Sequence, residues 1–272
     1  MNQHRLRASV FVAVVTAIGC GGSRPQDAAA TTDEAAGKDR SAQATPMQLA
    51  QATPETQAAA GSGSVKGVVK FSGTAPAREK IKMDADPVCQ QQHAEAVYSE
   101  AVVVNDNGTL RNVFVYVKEG VSGSYPAPSA PVVLNQKGCQ YSPHVAGIQV
   151  NQLFEVVNSD GTLHNINAKP AQNKPFNVAQ PVQGMKTTKS FATPEVMVKF
   201  KCNVHPWMNA YLGVLTHPFF SVSSADGSFT INGLPAGTYT LEAWHETYGT
   251  QTQQVTVAEG QTQSVDFTFS PQ

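Results

Sequence analysis

The chain has 272 residues, enough for one large or two small domains, and carries 19 Lys and Arg against 20 Asp and Glu, a formal charge of −1. Hydrophobic content of 41% against charged content of 14% fits a neutral, β-rich soluble protein and argues against a nucleic-acid binder. With no global field to attract a partner, steering falls to local patches.

Arg5 and Arg7 precede an apolar run from Val10 to Ile18 that is too short to span a bilayer as a helix. This reads as an export signal over 1–20. Ala17-Ile-Gly-Cys20 resembles the lipobox of bacterial lipoproteins, which implies a lipid on Cys20 holding the chain to a membrane and a periplasmic or outer-membrane-anchored location. An ordinary signal peptide cut near Gly22 is the other reading. Residues 21–63 are Ala, Thr, Gln, Gly, Ser and Pro with few large apolar side chains, so a disordered tether is expected.

Ser64-Val-Lys-Gly-Val-Val-Lys-Phe71 is strand-like, and Gln90 to Ala96 reads as a short helix. Val102 to Val104, the Asn105-Asp-Asn-Gly108 turn and Asn112 to Val117 predict a hairpin. Val113, Val115 and Val117 share one face and Phe114 and Tyr116 the other, so this strand should be central. Residues 120–131 form a loop, and short strands follow at Pro131–Leu134, Gly147–Val150 and Leu153–Val157. Ala168 to Lys189 looks unstructured, like an insertion. Val196-Met-Val-Lys-Phe-Lys-Cys202 alternates, placing Val196, Val198, Phe200 and Cys202 on one face. Ala210 to Leu215 returns as a strand. Residues 217–272 hold further strands joined by Gly/Pro turns, a unit of roughly 50 residues and thin for its own core. Ser64–Phe71 is the strand it would recruit, with 64–96 completing it.

The alternation aims Cys202 inward, and Cys202, His205 and Met208 put a thiolate, an imidazole and a thioether in one short segment. That set suits a mononuclear copper electron-transfer site, with His164 as the second imidazole. Zinc would prefer stronger ligands than a thioether. The loop Cys202-Asn-Val-His-Pro-Trp-Met208, with Asn158-Ser-Asp and His164-Asn165 upstream, resembles the type 1 copper proteins called cupredoxins, with a short loop like that of amicyanin. The resemblance covers 97–216. It implies a Greek-key β-sandwich, one copper ion held by His164, Cys202 and His205 with Met208 axial, and Asn165 locking the loop by hydrogen bonds. It also implies an apolar docking patch around an exposed His205, with Trp207 in it. Ala225-Asp-Gly-Ser-Phe-Thr-Ile and Gly233-Leu-Pro-Ala-Gly-Thr-Tyr-Thr-Leu241 are similar to carboxypeptidase regulatory-like domains, which implies a transthyretin-like sandwich. No His-Glu-x-x-His motif accompanies them, so no peptidase is implied.

Cys89 and Cys139 remain. In an exported chain they read as a disulfide, and closing a loop of about 50 residues would stabilise by about 4 kcal/mol. The rival reading places Cys89 with His93, or Cys139 with His144, in a second metal site. His144, His217 and His245 stand apart from the ligand set; His144 and His245 read as interfacial or surface residues, with His144 the first substitute ligand. Lys169, Lys174, Lys186, Lys189, Lys199 and Lys201 stand against Glu195 alone. A basic patch including Lys199 and Lys201 would steer an acidic redox partner such as a cytochrome; a solvated lysine face is the alternative. The expected function is an exported one-electron carrier, not an enzyme. Its rivals are a copper-binding or delivery protein, and a surface binding module with a secondary copper site.

Overall fold

Short β-branched and aromatic runs punctuated by Gly, Pro and Asn leave little room for helix, and the chain folds almost wholly as strands. The computed structural model describes residues 61–271. The expected signal, Cys20 and residues 21–60 of the expected tether lie outside the described residues. Chain order runs β1 (Gly63–Phe71), α1 (Pro87–Gln91), β2 (Phe114–Glu119), β3 (Val132–Lys137), β4 (Gln140–Ser142) and β5 (Val145–Gln149). It continues through β6 (Phe154–Asn158), β7 (His164–Lys169), β8 (Phe176–Gln180), β9 (Lys186–Lys189), β10 (Glu195–Lys201) and β11 (Asn209–Leu215). The last strands are β12 (Phe220–Val222), β13 (Ser228–Leu234), β14 (Gly237–His245), β15 (Gly249–Val257), β16 (Thr262–Ser264) and β17 (Phe267–Phe269). Among the described residues no helix is long and apolar enough to cross a membrane.

Two sandwiches result. In the central one, a sheet ordered β5-β11-β10-β7-β8 faces a sheet ordered β4-β3-β6-β9. Its core includes Leu134, Ile148, Phe154, Val156, Ile166, Phe200 and Leu212, and the Phe154 and Phe200 rings stack at 5.1 Å. In the terminal one, β13-β1-β16, with β17 also on β1, faces β12-β2-β14-β15 around Val65, Val69, Val115, Val117, Phe229, Leu241 and Phe267.

The two sandwiches meet on β2. Its Val113, Val115 and Val117 side points into the terminal core, while Phe114 and Tyr116 pack with Val145 and Leu215 of the central sheet. Gly147 and Gly213 admit this approach. A Cβ on Gly213 would lie 2.4 Å from the Phe114 ring, and one on Gly147 would lie 2.4 Å from Phe220.

Several expectations change. A domain boundary at 97 is not a structural division, because β2 pairs antiparallel with β14 and β12 in the terminal sandwich. The 102–117 hairpin reduces to an isolated bridge between Val104 and Leu110, since β2's edges are already taken. Gly61, within the expected tether, is tied to the fold by its N–H, which donates to the Gly233 carbonyl at 2.9 Å. The short helix sits at Pro87–Gln91 and not at Gln90–Ala96, because Asp86 caps it by accepting the Val88 and Cys89 N–H groups. The 168–189 segment is no unstructured insertion: β8 pairs with β7 and β9 with β6. Both are edge strands with half-exposed faces, so they lack an apolar pattern.

Candidate metal centre

The alternation in β10 buries Val198, Phe200 and Cys202, while Lys199 stays exposed. Val196, expected on the same face, instead is half-buried against the Phe114 cluster, because the register shifts between Glu195 and Val198. Beyond Lys201 the chain leaves the sheet as a tight loop and rejoins it at Asn209, paired with Lys201. Within the loop, Met208 N–H donates to the His205 carbonyl at 3.0 Å and Cys202 N–H to the Met208 carbonyl at 3.1 Å. The His205 N–H points at the Cys202 sulfur, 3.4 Å away. Asn165, next to His164 on β7, accepts the Asn203 N–H and so ties the loop to the neighbouring strand.

These constraints bring His164, Cys202 and His205 together, their donor atoms all within 4.8 Å of one another. The two Nδ1 atoms face each other at 2.9 Å, and the Cys202 sulfur is 3.8 Å from Nδ1 of His205. Met208 is buried in the same core cluster. His164 and Cys202 are fully buried, and His205 is 2% exposed. Among the described residues Cys202 is the one free cysteine.

Each imidazole is held from behind by a carboxylate. Nε2 of His164 lies 2.8 Å from Asp160, and Nε2 of His205 lies 3.0 Å from Asp86. Burial works against ionisation of both acids, but their hydrogen bonds outweigh it and keep both carboxyls below the usual range. Ionised carboxylates accept, so both Nε2 atoms donate, and in the neutral rings both Nδ1 atoms then present lone pairs to each other. Two such acceptors at 2.9 Å beside a sulfur need a cation between them, either a proton or a metal. Burial favours the neutral thiol of Cys202, yet hydrogen bonds from His164 and His205 outweigh it and bring the thiol down to about 5. Burial lowers His164, but Asp160 and Cys202 overcome that and raise it to about 8.

Cys89 and Cys139 form a disulfide. Neither rival cysteine–histidine pair assembles: His93 bonds the Gly138 carbonyl at 2.7 Å and His144 pairs with Glu246. His245 is buried, its Nδ1 accepting the Thr247 and Tyr248 N–H groups. His217 is buried too, stacked on Phe219.

An exposed His205 edge is not what forms. Asp86 and the Cys89 sulfur, 3.4 Å from Nε2, cover the ring. Trp207 is half-buried, not a free docking face: it lies 5.2 Å from the His205 ring and donates Nε1–H to the Cys139 carbonyl. Lys199 reaches over Tyr211, Lys186 pairs with Glu155, and Lys201 is half-buried, so the basic stretch is partly engaged. Asp86 and Asp160 are the members that sequence reasoning missed. Asp86-Pro87 is a pair that could have marked the helix start, but nothing local shows that the cap faces His205.

Residues 214–270 match the family model of the carboxypeptidase regulatory-like domain. Among curated protein sequences, none matches this chain. Among solved structures, parts of the chain are similar to a Cu-containing nitrite reductase from Thermus scotoductus SA-01 (24% identity, 36% of this chain and 25% of that chain, TM-score 0.29). They are also similar to a novel purple cupredoxin from Nitrosopumilus maritimus (23% identity, 31% and 98%, TM-score 0.27). A methionine-to-alanine mutant of amicyanin in its Cu(I) form is a third (13% identity, 37% and 97%, TM-score 0.28). The chain thus spans about a quarter of the nitrite reductase that it resembles.

Proposed function

We propose that this chain is an exported, lipid-anchored one-electron carrier that holds a single copper ion between His164, Cys202 and His205, with Met208 as the weak fourth ligand. The reading is carried by one observation, the two Nδ1 atoms facing each other at 2.9 Å beside the buried sulfur of Cys202. A thiolate, two imidazoles and a thioether fit a copper that cycles between Cu(II) and Cu(I).

The protein's contribution is to hold the donors still. Asp160 and Asp86 fix the two imidazoles and their tautomers, and Asn165 fixes the loop. Val198 and Phe200 share the buried face with Cys202 and help keep water from its sulfur. Little then reorganises when charge changes. Lys199 and Lys201 on the outer face favour an acidic redox protein, such as a cytochrome, as the partner. No substrate turnover is proposed.

The test is a visible and electron paramagnetic resonance spectrum of the copper(II)-loaded chain. An intense band near ~600 nm is expected, lost in Cys202→Ser and kept with a changed potential in Met208→Leu. A colourless copper-loaded protein overturns the reading. The covered His205 favours a second reading, copper binding or delivery without shuttling. A coloured protein that exchanges no electrons with small redox mediators would select it.

A further inference from the structure

The donors of the proposed centre are sealed from solvent, so a metal has no open way in. The seal itself is made of potential ligands. Cys89 and Cys139 lie with His205 in a second cluster whose donor atoms are all within 4.8 Å of one another, on the Nε2 side of the ring. Asp86 stands at the rim of that cluster, 3.0 Å from the same nitrogen. His205 therefore presents one nitrogen to His164 and Cys202 and the other to the two cysteines. His93, which bonds the Gly138 carbonyl beside Cys139, also lines a surface cavity of about 370 Å³ with Met83, Asp84 and Gln90.

A disulfide is a poor metal ligand, whereas two thiolates beside an imidazole are a soft site suited to copper(I). We propose that Cys89 and Cys139, as thiols, bind copper(I) with Nε2 of His205, pass it inward to His164 and Cys202, and then seal the centre by forming their disulfide. This rests on the copper reading above. Binding releases the two thiol protons and moves the His205 ring proton from Nε2 to Nδ1; when both sites are filled the ring gives up that proton to solvent and bridges them as an imidazolate. The metal moves inward with its oxidation state unchanged. One freed thiolate attacks a disulfide oxidant and expels a thiolate. The second attacks the mixed disulfide, expels the other thiolate and closes the bond. The two electrons leave with the reduced oxidant.

The experiment titrates full-length chains with copper(I) held by a chromophoric chelator, without oxygen. Every chain carries Cys20→Ser, so that Cys89, Cys139 and Cys202 are its remaining cysteines. In the dithiol form the wild-type background should take two copper ions, Cys202→Ser one, and the Cys89→Ser/Cys139→Ser double variant one. Uptake by the disulfide form should be slower than by the dithiol form. The proposal is overturned if the background takes one, Cys202→Ser none and the double variant one, or if both redox forms load at the same rate. If the background takes one, Cys202→Ser still one and the double variant none, the inner copper centre has failed instead, and with it the inward passage. The double variant also guards against a cysteine change that merely unfolds the chain, since retained uptake shows an intact inner centre.

Discussion

The Asp86 carboxylate reaches Nε2 of His205 across 119 positions of sequence, at 3.0 Å, while the same side chain caps α1 through the Val88 N–H at 2.8 Å. One acid thus positions the ring of a proposed ligand and starts the helix that covers it. Asp86→Ala should lower stability by about 1–3 kcal/mol, read by denaturant unfolding, since a cap and a charge-assisted hydrogen bond are lost together. It should also weaken copper binding by roughly 10–100-fold in chelator competition. Asp86→Asn retains a capping oxygen and should recover most of the stability but less of the affinity.

Asn165 should govern how long the metal stays rather than whether it binds. Its side chain accepts the Asn203 N–H and donates to Asn177, joining the ligand loop to β7 and β8. Asn165→Ala should keep the visible band and release copper to a chelator faster, by about 10-fold or more. Unchanged release would mean that the loop holds itself.

The interface between the sandwiches is set by Gly213 against Phe114. Gly213→Ala puts a Cβ 2.4 Å from the ring and should cost about 1–3 kcal/mol in thermal or denaturant unfolding. Phe114→Leu, damaging alone, should cost less in the Gly213→Ala background, and a double-mutant cycle would read that coupling.

Acid should destabilise the chain partly through His245. Burial pulls its imidazole down to about 4, against an ordinary value of 6.5, so the unfolded chain binds the extra proton first. Stability from this group is complete above about pH 6.5 and falls as pH drops towards 4, by at most about 3 kcal/mol. Glu246, held low by His144 and Tyr211 against its burial, adds its loss below about pH 4.5. His245→Asn should flatten the unfolding midpoint between pH 6.5 and 4.5 and leave the steeper acid limb.

Period-2 patterning made much of the central sheet legible. Val198, Phe200 and Cys202 share a buried face in sequence and in structure, and the β nature of both units follows from the same signal. Edge strands were not legible, because β8 and β9 spend half their residues on solvent and read as polar loop. The membership of β2 was hidden for the opposite reason. A strand apolar on both faces announces that it is central without saying to which sheet. The donors of the site were visible as residue types at short spacing. Their outer partners Asp86 and Asp160 were not, since a carboxylate's reach across the fold leaves no local trace. The covering of His205 depends on the disulfide bringing α1 to the loop after β3, a long-range closure that the number of cysteines alone does not aim.

The position of β1 has a consequence for how the chain becomes a folded protein. Val69 to Phe71 pair in parallel with Phe267 to Phe269, and the Lys70–Asp266 ion pair on that sheet joins residues 196 positions apart. During synthesis or translocation from the N-terminus, β1 therefore waits as an unpaired edge until nearly everything after it has appeared. The central sandwich draws its four-stranded and five-stranded sheets from residues 132–215 and can close earlier. Chains stopped short of β17 would carry a formed central sandwich on an open terminal sheet, a state recognisable to proteases. Arrival of the last strand turns that exposed template into protected structure.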